Sequence, residues 1–370
     1  IKETILAQDE FAVEFAGGYY TSRGMIGELA IILIISLLLL YFILAAQFES
    51  LVQPFIILSE IVADLTGALL LLWICGAGIN LMSMIGIVVM CGIIINDSEK
   101  AKEILHDIGY YRLGFYFFPF EQTHPQTANR THNVVPGTLF EDAVALYYFD
   151  FDLRNILNRY LTRVEVAFRT YLTYYMSLQY KTDPLWFVGP TVVIQSFIND
   201  FDRKVYQSEA FRKNQQIKRH HNKYPADKYA PAWKTVEFMT FGSIVRLYKS
   251  IDNKDDKKAI ARNFGVGKSA VFTSYIDAIY TLRNKCAHGS ALFDLQLPNG
   301  ISAKGPKLGL TGADCQNLNG AITVLLYVLK HISQNRANDL QKELDDLYAR
   351  FKKQRVELVE ILKKCSGLNF

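Results

Sequence analysis

Between Gly137 and Pro184 the chain has neither glycine nor proline, and Leu146, Phe149, Leu153, Leu157, Leu161, Val164, Phe168 and Leu172 recur at steps of three and four. That spacing keeps one helix face apolar, so it predicts a long amphipathic helix, or two in succession. The other faces carry Arg154, Arg159, Arg163 and Arg169, and Glu165 stands four residues before Arg169, where the two can pair. Ala270 to Leu282 and Leu318 to Ile332 read the same way. Leu340, Leu344, Leu347, Phe351, Leu358 and Ile361 lie among dense charges, a pattern for a surface helix or one that pairs with a partner. Strand-like alternation is scarce, and Thr123 to Val135 and Pro298 to Leu310 read as loops. The fold class expected is all-α.

The first quarter follows a different rule. Leu29 to Ala46 is an uncharged apolar run, and Gly76 to Ile95 is another, broken only by Asn80 and Ser83. Runs of this length span a bilayer as single helices. Leu51 to Trp73 between them is apolar apart from Glu60 and Asp64, four apart on one helix face. Three transmembrane helices are expected over 26–96, after a short extramembrane lead-in at 1–25. Paired carboxylates at membrane depth fit a proton or cation path, or a fragment that has lost the partners shielding them.

Charge sharpens the division. The whole chain holds 40 basic and 36 acidic residues, but residues 1–96 contain only two of the basic ones, Lys2 and Arg23. The remainder is therefore basic, and it is long enough to bury a sizeable core. Cys75, Cys91, Cys286, Cys315 and Cys365 are scattered and form no CxxC pair, which argues against a disulfide framework or a zinc site. The chain opens on Ile1, so the numbering is read as beginning inside a longer reading frame.

Three stretches invite a chemical reading. Residues 203–228 hold eight basic side chains, including Lys213, Lys218, Arg219 and Lys223, with Tyr206, Phe211 and Tyr224 interleaved. Cations for phosphates and rings for unstacked bases suit single-stranded RNA, and a solvated face explains the same residues. His220 and His221, within this run, have no acidic or sulfur neighbour at ligand spacing. Gly267-Lys268-Ser269 suggests a phosphate loop, but the glycine required five residues before Gly267 is Arg262, and no strand precedes it.

The third stretch is Leu282-Arg283-Asn284-Lys285-Cys286-Ala287-His288. Arg283 and His288 stand about 140° apart on an ideal helix, so one copy makes a poor site. Two copies across a symmetric dimer could place two imidazoles and two guanidiniums around one phosphodiester. Histidine, titrating near pH 6.5, moves protons, and arginine holds the phosphate as charge develops, with neither metal nor cofactor required. An arginine and a histidine on an ordinary core helix are the alternative. Cys286 is read as a small buried side chain, and Trp233 and Phe238 as core residues in preference to base-stacking platforms.

Two resemblances run in order along the chain. GELAIILIISLLLLYFILAAQFESLVQPFIIL, GALLLLW and NLMSMIGIVVMCGIIIND resemble three consecutive helices of the second half of an RND-type efflux permease, over about 25–97. In that family such helices would leave the following chain in the cytoplasm, so the resemblance implies a bacterial inner-membrane anchor through 26–96. The acidic relay and most helices of such a permease are missing, so the fragment is expected to be inactive in transport.

IGYYRLGFYFFPFE, LYYFDFDLRNILNRYLTRVEVAFR, PAWKTVEFMTFGSIVRLY and LRNKCAHGS resemble successive blocks of the Abi family of abortive-infection proteins, AbiD/AbiF type, over about 97–350. That family is placed in the HEPN superfamily, whose Arg-x4-6-His motif is matched by Arg283 and His288, with Asn284 as the polar residue after the arginine. The resemblance implies a HEPN-like helical domain at 97–335 and a charged amphipathic helix at 336–370. It further implies a dimeric, metal-independent ribonuclease of phage defence, with RNA as substrate and an antitoxin RNA or protein as restraint. Glu165 and Arg169 are expected to support the site. The alternatives are a non-catalytic RNA-binding or regulatory module and, third, a membrane transport component.

Overall fold

The computed structural model describes residues 100–370, apart from 127, 129, 307, 369 and 370, together with scattered positions between 31 and 74. The chain divides into two compact units, Ile1–Tyr110 and Tyr111–Phe370.

In the first unit the membrane expectation is overturned. Among the described residues no helix is long and apolar enough to cross a membrane. The three transmembrane helices expected over 26–96, and the inner-membrane anchoring built on them, are therefore corrected. Glu60 and Asp64 lie outside the described residues, as does most of 47–99.

The second unit is helical, and among its described residues extended pairing is confined to two isolated bridges, Glu121 with Val134 and Val193 with Ile251. Helix α1, Phe140–Gln179, is one helix of 40 residues. Asp142 accepts the Leu139 N–H at 2.9 Å, and Glu141 and Asp142 place negative charge in the first turn. All eight residues of the expected stripe are buried. Phe168 is its centre, with ring centroids 5.6 to 6.4 Å from Phe241, Tyr248, Phe264 and Phe272.

Three short helices follow, α2 (Gln195–Phe201), α3 (Glu209–Lys213) and α4 (Gln215–Lys223), then the single turn α5 (Ala232–Thr235). α5 runs into a 3-10 turn, Val236–Phe238. Next come α6 (Phe241–Ser250), α7 (Lys254–Asn263) and α8 (Ser269–Ala287). The unit closes with α9 (Leu318–Ile332), α10 (Gln334–Gln354) and α11 (Val359–Ser366). α1 packs against α8, α9 and α10, and α8 also packs against α6, α7 and α9. The apolar face of α10, with Leu340, Leu344, Leu347 and Phe351, is buried within the unit against α9 and α1. This arrangement sets the end of α8 beside the middle of α1.

Candidate active site

Helix α8 carries Leu282 and Cys286 inward and Arg283 and Asn284 on a half-exposed face. The helix ends on a Schellman motif. Ser290 N–H bonds Lys285 O at 3.0 Å, Gly289 N–H reaches Cys286 O at 3.3 Å, and Gly289 supplies the left-handed φ of +65° that the motif needs. His288 is thereby the last residue before the turn, with its N–H on Asn284 O at 3.0 Å and its side chain exposed. It caps the fixed end of the helix, five residues after Arg283.

Arg283 is held from α1. Its Nε donates to Glu165 Oε2 at 3.1 Å, while the other oxygen, Oε1, accepts from Arg169 Nη2 at 3.0 Å. Arg169 also donates to the Met239 carbonyl at 3.0 Å. One carboxylate thus joins two guanidiniums. Arg169 is nearly buried, whereas the Arg283 side chain keeps 32% of its surface exposed. Asn284 Oδ1 accepts a long contact of 3.4 Å from Arg283 Nη1. Glu165, Arg169 and Arg283 are thus joined, with Asn284 against Arg283, while His288 stands five residues after Arg283 at the end of α8 with no side-chain bond to this group among the described contacts.

A second anchor, which the sequence reading missed, fixes the chain just after the motif. Asp150 and Arg154 on α1 pair at 2.6 Å, and Tyr116 donates to Asp150 at 2.7 Å. Asp150 accepts the Leu292 N–H at 2.9 Å, and Arg154 donates to the Ser290 carbonyl at 3.2 Å. Burial pushes the Asp150 carboxyl up to about 6, with Arg154, the Leu292 N–H and the Tyr116 hydroxyl pulling the other way. Cys286 lies beneath the motif, and burial pushes its thiol up to about 12, so it is no nucleophile at neutral pH.

Against this geometry the family comparison is decisive: the model of Abi-like proteins matches residues 103–294, more than half the chain. The chain belongs to the Abi-like protein family. The matched stretch contains both anchors and the whole of α8. The AcrB/AcrD/AcrF family model matches residues 1–98, so the permease-like fragment and the Abi-like domain follow one another in the expected order. No solved structure matches the chain. An Abi-like domain supports a phage-defence protein of the abortive-infection type.

Elsewhere in this Abi-like domain, Lys213, Lys218, Arg219 and Lys223 are exposed on α3 and α4. Lys213 pairs with Glu209 at 2.5 Å, and Lys223 lies over the Tyr224 ring. Tyr206 and Phe211, two of the rings interleaved with these cations, are buried. His220 is buried and faces Asp227 Oδ2 at 3.1 Å, and His221 meets the Tyr206 hydroxyl at 2.8 Å. Trp233 and Phe238, expected in the core, are exposed, because α5 and the turn after it bury Ala232, Thr235 and Val236 instead.

Proposed function

We propose that the Abi-like domain is a HEPN-type endoribonuclease of phage defence that acts as a homodimer and whose chemistry needs no metal ion. The observation that carries this reading is the exposed His288 at the fixed end of α8, five residues after an Arg283 that Glu165 orients without covering. A neutral imidazole accepts the proton of a ribose 2′-OH, and the 2′-oxygen attacks phosphorus. The P–O5′ bond breaks, and a protonated imidazole delivers its proton to the leaving 5′-oxygen. The products are a 2′,3′-cyclic phosphate and a 5′-hydroxyl. Base and acid are two imidazoles, and each chain offers one at this site, so a second copy supplies the other. The guanidinium N–H groups that Glu165 leaves free stabilise the charge on the phosphoryl oxygens. Asn284 orients the guanidinium.

The full chain, wild type and His288→Ala, incubated with mixed cellular RNA in EDTA provides the test. The expected result is cleavage by the wild type alone, leaving cyclic or 3′-phosphate ends. Equal cleavage by both proteins overturns the assignment of His288. If both bind RNA and neither cuts, the second reading replaces the first: a non-catalytic RNA-binding module, favoured by the exposed Lys218 and Arg219 of α4.

A further inference from the structure

Trp233 leaves 57% of its surface in solvent and Phe238 leaves 36%, while Trp186 and Phe187 are fully buried. Burying large rings is strongly favourable, so two open ones five residues apart mark a surface that the fold itself does not use. Their place is close to the motif. The turn that ends at Phe238 leads directly to Met239, whose carbonyl accepts from Arg169, the arginine that shares Glu165 with Arg283. Just beyond, Phe241 packs on Tyr280 with ring centroids 5.9 Å apart, and a Cβ on Gly242 would come within 2.8 Å of the Tyr280 hydroxyl. Tyr280 is one turn before Arg283 on α8. The segment 238–242 is thus held against both helices that carry the site.

On its other side α5 packs against α4, the helix with exposed Lys218, Arg219 and Lys223. Trp233 and Phe238 therefore belong to one stretch that touches a basic helix through α5 and the Arg283-bearing α8 through Phe241 and Gly242. Cations that track a phosphate backbone next to rings that receive unstacked bases are the recurrent composition of single-stranded nucleic-acid surfaces.

We propose that Trp233 and Phe238 form a stacking platform for bases of single-stranded RNA next to the Arg283–His288 centre, with α4 guiding the strand toward it. This rests on the ribonuclease reading for its substrate, and its test separates the two. The full chain carrying His288→Ala is titrated with a mixed-sequence single-stranded oligoribonucleotide while tryptophan emission is followed. The chain has three tryptophans, Trp73, Trp186 and Trp233. RNA is expected to quench emission in the His288→Ala protein, and the quenched part is expected to vanish on adding Trp233→Phe. Affinity by filter binding should stay within about threefold for Trp233→Phe, which keeps a ring, and fall about tenfold for Trp233→Ala.

Unchanged quenching in the Trp233→Phe protein, or undiminished affinity in the Trp233→Ala protein, overturns the platform, as does failure of the parent to bind RNA. A surface that captures a protein partner gives that last outcome. Trp233-dependent quenching together with a wild type that never cuts RNA sinks the nuclease and leaves the platform standing. Cleavage that ignores Trp233→Ala does the reverse.

Discussion

Helix α1 grips the motif at two points with the same device, an acid four residues before an arginine, and the two grips differ in what they touch. Asp150 and Arg154 are buried, and their partners, Tyr116, Ser290 and Leu292, all belong to the protein. Glu165 and Arg169 are closed on one side by the Met239 carbonyl, but on the other Glu165 holds an arginine that remains one-third open. The first grip fixes where the chain goes after His288. The second fixes how Arg283 points while leaving part of its guanidinium free. A buried ion pair of the first kind adds little net stability over an apolar substitute, yet breaking it strands a charge. The second kind trades some burial for an accessible cation.

The largest effect is expected at the buried grip. Asp150→Ala leaves Arg154 uncompensated and the Leu292 N–H without its acceptor, and should cost about 3–5 kcal/mol in urea unfolding. A loss below about 1 kcal/mol would mean that Arg154 finds solvent and that the two grips are not different in kind.

A smaller effect follows from pH. Because the Asp150 carboxyl is raised in the fold to about 6, the folded chain takes up a proton there while the unfolded chain, titrating near 3.8, does not. The group's contribution to stability therefore rises as pH falls from about 6 toward 4 and is constant below that. Relative to Asp150→Asn, the wild type should gain stability across that window. A difference that does not change with pH removes the raised carboxyl from the account.

Much of this architecture is legible in the linear pattern, and the failures have physical causes. α1 declares itself through the absence of glycine and proline and a stripe at steps of three and four, because burial along a single helix depends on local spacing. The motif is equally visible as a string. The pattern sets Arg154 on an outer face of α1 and says nothing of Asp150, yet both are buried; an acid and an arginine four apart, with Asp150 following Leu146 by four, are the signal that the pattern offers. Trp233 is different. α5 is a single turn, and which of its side chains is covered depends on how α1 and α4 meet it, information that four residues do not carry. In the first quarter the uncharged runs point to membrane spans, yet among the described residues no helix is long and apolar enough to cross a membrane.

The exposed grip gives the sharpest contrast, because there the smallest loss of stability should accompany a large loss of function. Glu165→Gln keeps the shape of the side chain and one acceptor oxygen, but it replaces the other oxygen with a donor facing arginine N–H groups. Arg169 retains the Met239 carbonyl and Arg283 can turn to solvent, so unfolding should shift by only about 1–2 kcal/mol. Arg283 then loses the carboxylate that orients it. On the ribonuclease reading, cleavage should fall at least tenfold, with RNA affinity nearly unchanged, since the cations of α4 and the guanidinium charge are both still present. Glu165→Asp, which restores the charge on a shorter arm, should recover part of that rate. If Glu165→Gln instead weakens stability as much as Asp150→Ala while the remaining folded protein cuts at full rate, Glu165 belongs to a second structural pair, and the two grips of α1 do the same work.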